Sequence, residues 1–183
     1  MVKFTNNQEV VKTKNPYRKS EKERVFMINK TKEKTCAFYA SDYHFEMISL
    51  PYIEKNLEKN NKVIILTENN LEDTIEKLVS KVNLSEEKKK KILNLNWKQD
   101  DLNKFKEIKE YSQNKQETVI FIKGKENYIK NINENIEKWT KENEKIKIID
   151  CYEIDENTVR SGNIINNYSK ILSTSGEKRI TNV

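Results

Sequence analysis

Residues 35–69, TCAFYASDYHFEMISLPYIEKNLEKNNKVIILTEN, read as strand, helix, strand and contain no glycine. Thr35–Ala40 supplies Cys36, Phe38 and Tyr39 to a first strand. Asp42 is then placed to cap a helix from Tyr43 to about Asn60, whose Phe45, Ile48, Ile53 and Leu57 keep a near-helical spacing. Pro51 interrupts that pattern, which predicts a bend or break near Leu50. Lys62–Glu68 is a continuous apolar run of the kind buried on both faces of a parallel sheet. The turn between the first strand and the helix carries Ser41, Asp42 and Tyr43. A phosphate-cradling loop uses glycine so that backbone N–H groups can close on phosphate oxygens, and the P-loop adds Lys followed by Ser or Thr. An acidic side chain at a helix start suits a cap and repels phosphate. The expectation is an α/β domain that senses or binds something and does not hydrolyse ATP.

The same alternation continues outward. Leu71 to about Val82 reads as a helix with Ile75, Leu78 and Val82 inward, and Ser85 caps a short helix through Lys91. The alternating Ile92–Trp97 reads as a third strand, and Asp100–Asn114 as a weak helix. Thr118–Lys123 is a fourth strand, Lys125–Asn143 a helix with Ile129, Ile132, Ile136 and Trp139 on one face, and Lys145–Glu153 a fifth strand. A short helix near Ser161–Asn167 follows. Lys170–Ser173 and Glu177–Thr181, around Thr174-Ser175-Gly176, then form a hairpin. This order implies an α/β fold: a mainly parallel sheet of five or more strands, helices on both faces, and a C-terminal hairpin.

Charge divides the chain. Residues 1–35 hold 10 Lys or Arg against 4 Asp or Glu, whereas the remaining residues balance at 25 of each. Residues 1–30 therefore read as a basic arm and 31–183 as the α/β domain. The arm is either a solvated or partner-docking segment or a nucleic-acid contact, and Val25–Ile28 is where it would dock. No apolar stretch approaches the roughly 20 residues that span a bilayer, and no signal-peptide segment stands at the start, so a cytoplasmic location is expected. Cys36 and Cys151, on predicted strands, are expected as reduced core residues. With one histidine and no Cys pair at ligand spacing, neither a metal site nor a cofactor is expected.

Several segments together resemble the MEDS domain, the sensory module named for methanogen and methylotroph proteins and the dichloromethane regulator DcmR. The likeness rests on Cys36, Phe38 and Tyr39 in the first strand, Pro51 followed by Tyr52 in the helix, and Val63–Glu68 in the next strand. KIKIIDCYEID looks like the family's last core strand, and GNIINNYSKIL with SGEKRI like its closing helix and hairpin. Lys34 stands where members often place a histidine. The resemblance covers roughly residues 33–181 and implies a RecA-like or KaiC-like fold without its phosphate loop.

In an open parallel sheet, ligands occupy the crevice at the carboxyl ends of the strands. Those ends fall at 39–44, 68–70, 97–101, 123–125 and 152–155, which selects Tyr39, Asp42, His44, Glu68, Trp97 and Tyr152 as candidate ligand-binding residues. Their aromatic and polar groups suit a small organic molecule. His44 is also the candidate proton-sensitive group, against the plainer role of a surface or capping residue. Trp97 competes with a packing role, Asp100 and Asp101 with helix capping, and the Lys88–Lys91 run with a solvated helix end. The function expected is a non-enzymatic sensory or regulatory domain that binds a small ligand or a protein partner in a signalling or transcription-control pathway. The alternatives are an enzyme retaining nucleotide chemistry on an unusual loop, and a nucleic-acid-binding protein using residues 1–30.

Overall fold

The computed structural model describes residues 33–99, 102–113, 116–140, 143–154 and 164–180. The basic arm, Asp100, Asp101, Asp155 and residues 161–163 and 181 of the expected closing elements lie outside them. The chain order is β1 (Thr35–Tyr39), α1 (Asp42–Glu58), β2 (Lys62–Thr67), α2 (Glu72–Lys81), α3 (Glu86–Leu93), α4 (Leu102–Gln113), β3 (Thr118–Gly124), α5 (Glu126–Thr140) and β4 (Ile146–Glu153). A single 3-10 turn (Ile165–Asn167) then leads to β5 (Lys170–Ser173) and β6 (Gly176–Arg179). The six strands form one sheet in the order β2-β3-β4-β1-β5-β6, parallel throughout except for the antiparallel β5–β6 hairpin. The expected α/β architecture, with its C-terminal hairpin, is present. No helix among the described residues is long and apolar enough to cross a membrane.

Alternate strand residues feed two cores. Ala37, Tyr39, Val63, Ile65, Val119, Phe121, Ile149 and Cys151 pack under α1, α2 and α3, whereas Cys36, Ile64, Leu66, Ile120, Ile122, Ile146 and Tyr152 pack under α4 and α5. Burial on both faces is why the strands read as unbroken apolar runs. Cys36 and Cys151 fall on opposite faces and are free, buried thiols. The edge strand β2 is closed by a lysine. Lys104, 1% exposed, donates from Nζ to the Ile65 carbonyl at 2.8 Å and to that of Lys98 at 2.5 Å, so a buried cation covers a sheet edge that would otherwise invite pairing.

Three local expectations are corrected. Ile92–Trp97 is not a strand: Ile92 and Leu93 end α3, and Trp97 lies in the following loop, its Nε1 donating to the Ile92 carbonyl at 2.8 Å. The cap of α1 is Ser41 and not Asp42, because Ser41 Oγ accepts from the His44 backbone N at 3.2 Å. Pro51 does not end α1, which runs unbroken from Asp42 to Glu58 with Pro51 on its exposed side. It ends instead where Asn60 takes φ 56°. There Asn61 N donates to the Asn56 carbonyl at 2.9 Å and Asn60 N to that of Leu57 at 3.1 Å, the bonding of a Schellman cap. The Lys88–Lys91 run is ion-paired surface, with Lys88 at 2.6 Å from Glu54 and 2.8 Å from Glu58, and Lys91 at 2.7 Å from Glu87.

Candidate functional site

The paths leaving β1 and β4, which are neighbours in the sheet, diverge. After β1 the chain crosses on α1 to the far edge strand β2; after β4 it reaches Ile164 and Tyr168, which pack on the opposite face. In open parallel sheets such a divergence marks the place, at the carboxyl ends of the strands, where ligands bind. The two strands stay paired to their tips, where Ile154 N donates to the Tyr39 carbonyl at 2.8 Å.

Two amides of the turn from β1 into α1 are taken up by its own side chains, and the next bond is the first of the helix. Ala40 N donates to Nδ1 of His44 at 3.2 Å, His44 N to Ser41 Oγ at 3.2 Å, and Phe45 N to the Ser41 carbonyl at 2.9 Å. His44 thus folds back over the turn as an acceptor. The neighbouring helix start is occupied in the same way: Glu68 Oε2 accepts from Lys125 N at 3.0 Å, immediately before α5, and a carboxylate there complements the helix dipole. Gly124 is required for this arrangement. A Cβ on it would stand 2.5 Å from Tyr128 Cδ1 and 2.9 Å from Glu68 Oε2.

Beneath the first turn of α1 lies a cluster of buried charge. Lys123, near the end of β3 and 1% exposed, places its ammonium 2.7 Å from Asp42 Oδ1, 4.7 Å from the centroid of the Tyr39 ring and 5.6 Å from that of Phe45. An ammonium held without water needs such partners, since the desolvation of one ion costs several kcal/mol. Glu46, one helical turn after Asp42, is 0% exposed, and neither of its carboxylate oxygens has a hydrogen-bond partner among the described residues. Burial pushes the Glu46 carboxyl above its ordinary value; the nearby Thr74 and Lys123 pull it down and Asp42 adds to the rise. Tyr39 is buried edge-on to Phe45 with ring centroids 5.7 Å apart, and burial raises its hydroxyl, helped by Glu153, Cys151, Asp42 and Glu68.

Of the six residues selected from the sequence, Tyr39, Asp42 and His44 therefore meet at the β1–α1 turn, and Glu68 stands at the end of β2, three strands away, beside Gly124. Trp97 is 1% exposed and packs in the core with Ile92 and Leu71. Tyr152 lies on the other face, stacked on Phe38 at 5.9 Å, with its hydroxyl 2.7 Å from that of Tyr168. Tyr168 in turn donates to Asp150 Oδ2 at 2.6 Å, and Asn133 Nδ2 donates to Asp150 Oδ1 at 3.0 Å. Lys123 and Glu46 were not selected. The one available signal was the pairing of Asp42 and Glu46 at i and i+4 on one helix face, with a lysine closing the apolar run Val119–Ile122.

The cluster gathers one cation and two carboxyls under the first turn of α1. Cys151, the strand neighbour of Lys123, is fully buried, and burial holds its thiol well above the ordinary range, which leaves it unreactive. Compared with known proteins, the chain matches no family model, no curated protein and no solved structure.

Proposed function

We propose that this chain is a non-enzymatic sensory or regulatory domain of MEDS type, acting in the cytoplasm, whose carboxyl-end crevice recognises a small ligand or a protein partner. The observation that carries the reading is the carboxyl of Glu46, without a hydrogen-bond partner among the described residues, beside the Asp42–Lys123 pair. Buried polar groups are nearly always satisfied, so this incomplete cluster is where a donor group from outside would supply a missing partner; because Glu46 is closed to solvent, such a donor enters only as the first turn of α1 moves aside. A half-satisfied network adds little to stability, which favours a binding role for it. The Ala40 and His44 amides, taken up by His44 and Ser41, and the carboxylate of Asp42 at the helix start support recognition by side chains in place of phosphate binding.

Native mass spectrometry of the protein purified from its own source tests this. A retained small molecule or subunit is expected on the wild-type chain, and its loss from folded Glu46→Gln and Lys123→Met variants. A bare chain mass, or a companion retained equally by all three, would overturn the reading. The charge excess of residues 1–35 favours a second reading, nucleic-acid contact by the arm. That reading requires DNA or RNA binding that weakens steeply with salt and vanishes when residues 1–30 are deleted.

A further inference from the structure

A groove of about 610 Å³ separates the second half of α1 from the β5–β6 hairpin, within the range of small-molecule sites. It lies away from the Asp42–Lys123 cluster and shares no lining residue with it. Its floor is apolar: Ile48 and Leu172 are buried there, and the Tyr52 ring is held in place by Lys147, whose Nζ is 2.7 Å from the tyrosine hydroxyl. One wall carries Lys55 and Lys59, one helical turn apart, and neither ammonium meets a carboxylate among the described residues. The other wall is the turn with the hydroxyls of Ser173, Thr174 and Ser175, held by Gly176 at φ 95°, where any other residue would be strained.

The charge balance of this groove decides what it suits. Its one carboxylate among the described residues, Glu177, is already neutralised: Lys147 Nζ lies 2.5 Å from Oε1 and Thr35 Oγ1 donates to the same oxygen at 2.8 Å. Among the described residues Lys55 and Lys59 are left uncompensated. Like charges four residues apart at the end of α1 repel, and an anion between them relieves the repulsion. An apolar floor beneath a cationic wall and a hydroxyl wall is complementary to a molecule with a flat apolar body and an anionic head.

We infer that this groove is a second binding site, for small organic anions in which an aromatic or aliphatic body carries a carboxylate or a phosphate monoester. The apolar body lies over Ile48, Leu172 and Tyr52. The anionic head bridges Lys55 and Lys59 and accepts from the hydroxyls of Thr174 and Ser175.

The test uses the full chain and 2-naphthyl phosphate as probe, with 2-naphthol and inorganic phosphate as the separated halves. It is followed by amide chemical shifts and calorimetry. Saturable shifts confined to residues 52–59 and 172–177 are expected for the ester, with each half binding about tenfold or more weaker. A Lys55→Glu/Lys59→Glu variant should lose about tenfold or more in affinity. A Lys77→Glu/Lys81→Glu variant, which makes the same charge change on the exposed side of α2, should keep it. Circular dichroism checks that both variants are folded. Absence of shifts in the hairpin turn, or an equal loss in the two double variants, would overturn the inference. Should Lys55→Glu/Lys59→Glu not fold, Thr174→Val/Ser175→Ala serves in its place: weaker ester binding supports the site and unchanged binding refutes it.

Discussion

The ammonium of Lys123 lies 2.7 Å from the carboxylate of Asp42, and the two ends of that pair meet water very differently: the lysine side chain is 1% exposed, the aspartate 38%. The pair joins the end of β3 to the first turn of α1 and sits directly under the turn where nucleotide-binding α/β proteins hold phosphate. The asymmetry makes its two halves unequal.

Removing the aspartate strands a buried cation, whereas removing the lysine leaves a carboxylate that can turn to solvent. Asp42→Ala should therefore cost about 2–4 kcal/mol, within the range for breaking a buried pair and reduced by the aspartate's exposure. Lys123→Met, close in volume, should cost less than about 1.5 kcal/mol. Urea denaturation of the two variants measures this. Equal losses would mean that the lysine is not desolvated.

Glu46 makes stability depend on pH in the direction opposite to a salt-bridged acid. Burial lifts its folded value above the ordinary 4.5, so the native state holds the proton more tightly than the unfolded chain. Stability from this group is fully present below 4.5 and is lost as pH rises from there through the folded value. Glu46→Gln removes the titration. The variant should gain on the wild type steadily over that window, as read from denaturation midpoints across the acid-to-neutral range. A constant difference would show that Glu46 is hydrated in the folded chain.

Tyr168→Phe deletes the donor to Asp150 Oδ2 and the partner of the Tyr152 hydroxyl, and should cost about 1–3 kcal/mol. Burial raises the Asp150 carboxyl above its ordinary 3.8, and the Tyr168 bond, followed by that of Asn133, opposes the rise. Losing Tyr168 removes support for the charged form, so the variant's deficit should widen as pH rises above that ordinary value. A deficit that narrows would contradict the bonding.

Both thiols should be silent in the native chain. Burial pushes Cys36 up to about 12, with Asp150 adding to it, and holds Cys151 well above its ordinary range. Titration with a thiol reagent near neutral pH should label neither cysteine until denaturant is added, after which both react. Rapid labelling of Cys36 without denaturant would show that the face carrying α4 and α5 opens.

Much of this fold was legible from residue order. The runs Val63–Leu66 and Val119–Ile122 are apolar on both faces because α1 to α3 cover one side of the sheet and α4 and α5 the other, and four consecutive apolar residues leave a strand no face to turn to water. The β5–β6 hairpin was visible in Thr174-Ser175-Gly176. Ile92–Trp97 misled because a short alternating segment fits a strand as well as a helix end followed by a loop. Only the return of the Trp97 indole to the Ile92 carbonyl separates the two. Ser41 and Asp42 are both good capping residues, and backbone geometry alone chose the serine.

The candidate site was legible in part. Topology places the ends of β1 and β4 at a crevice, which is why Tyr39, Asp42 and His44 could be named together. Lys123 and Glu46 could not, because charged residues are seldom fully buried, and only the packing of α1 over β3 removes them from water. Trp97 was assigned to the crevice through a strand that does not exist.

The most direct measurement is a titration of the full chain with Mg-ATP, followed at the backbone amides of residues 40–45. With Ala40 N bound to the His44 ring and His44 N to Ser41, and the Asp42 carboxylate beside the remaining amides, these resonances should stay in place at every nucleotide concentration, in the wild type and in a Lys123→Met variant alike. Saturable shifts of the Ala40 and His44 amides, with His44 released from the turn, would contradict side-chain recognition at this site and restore it as a phosphate cradle.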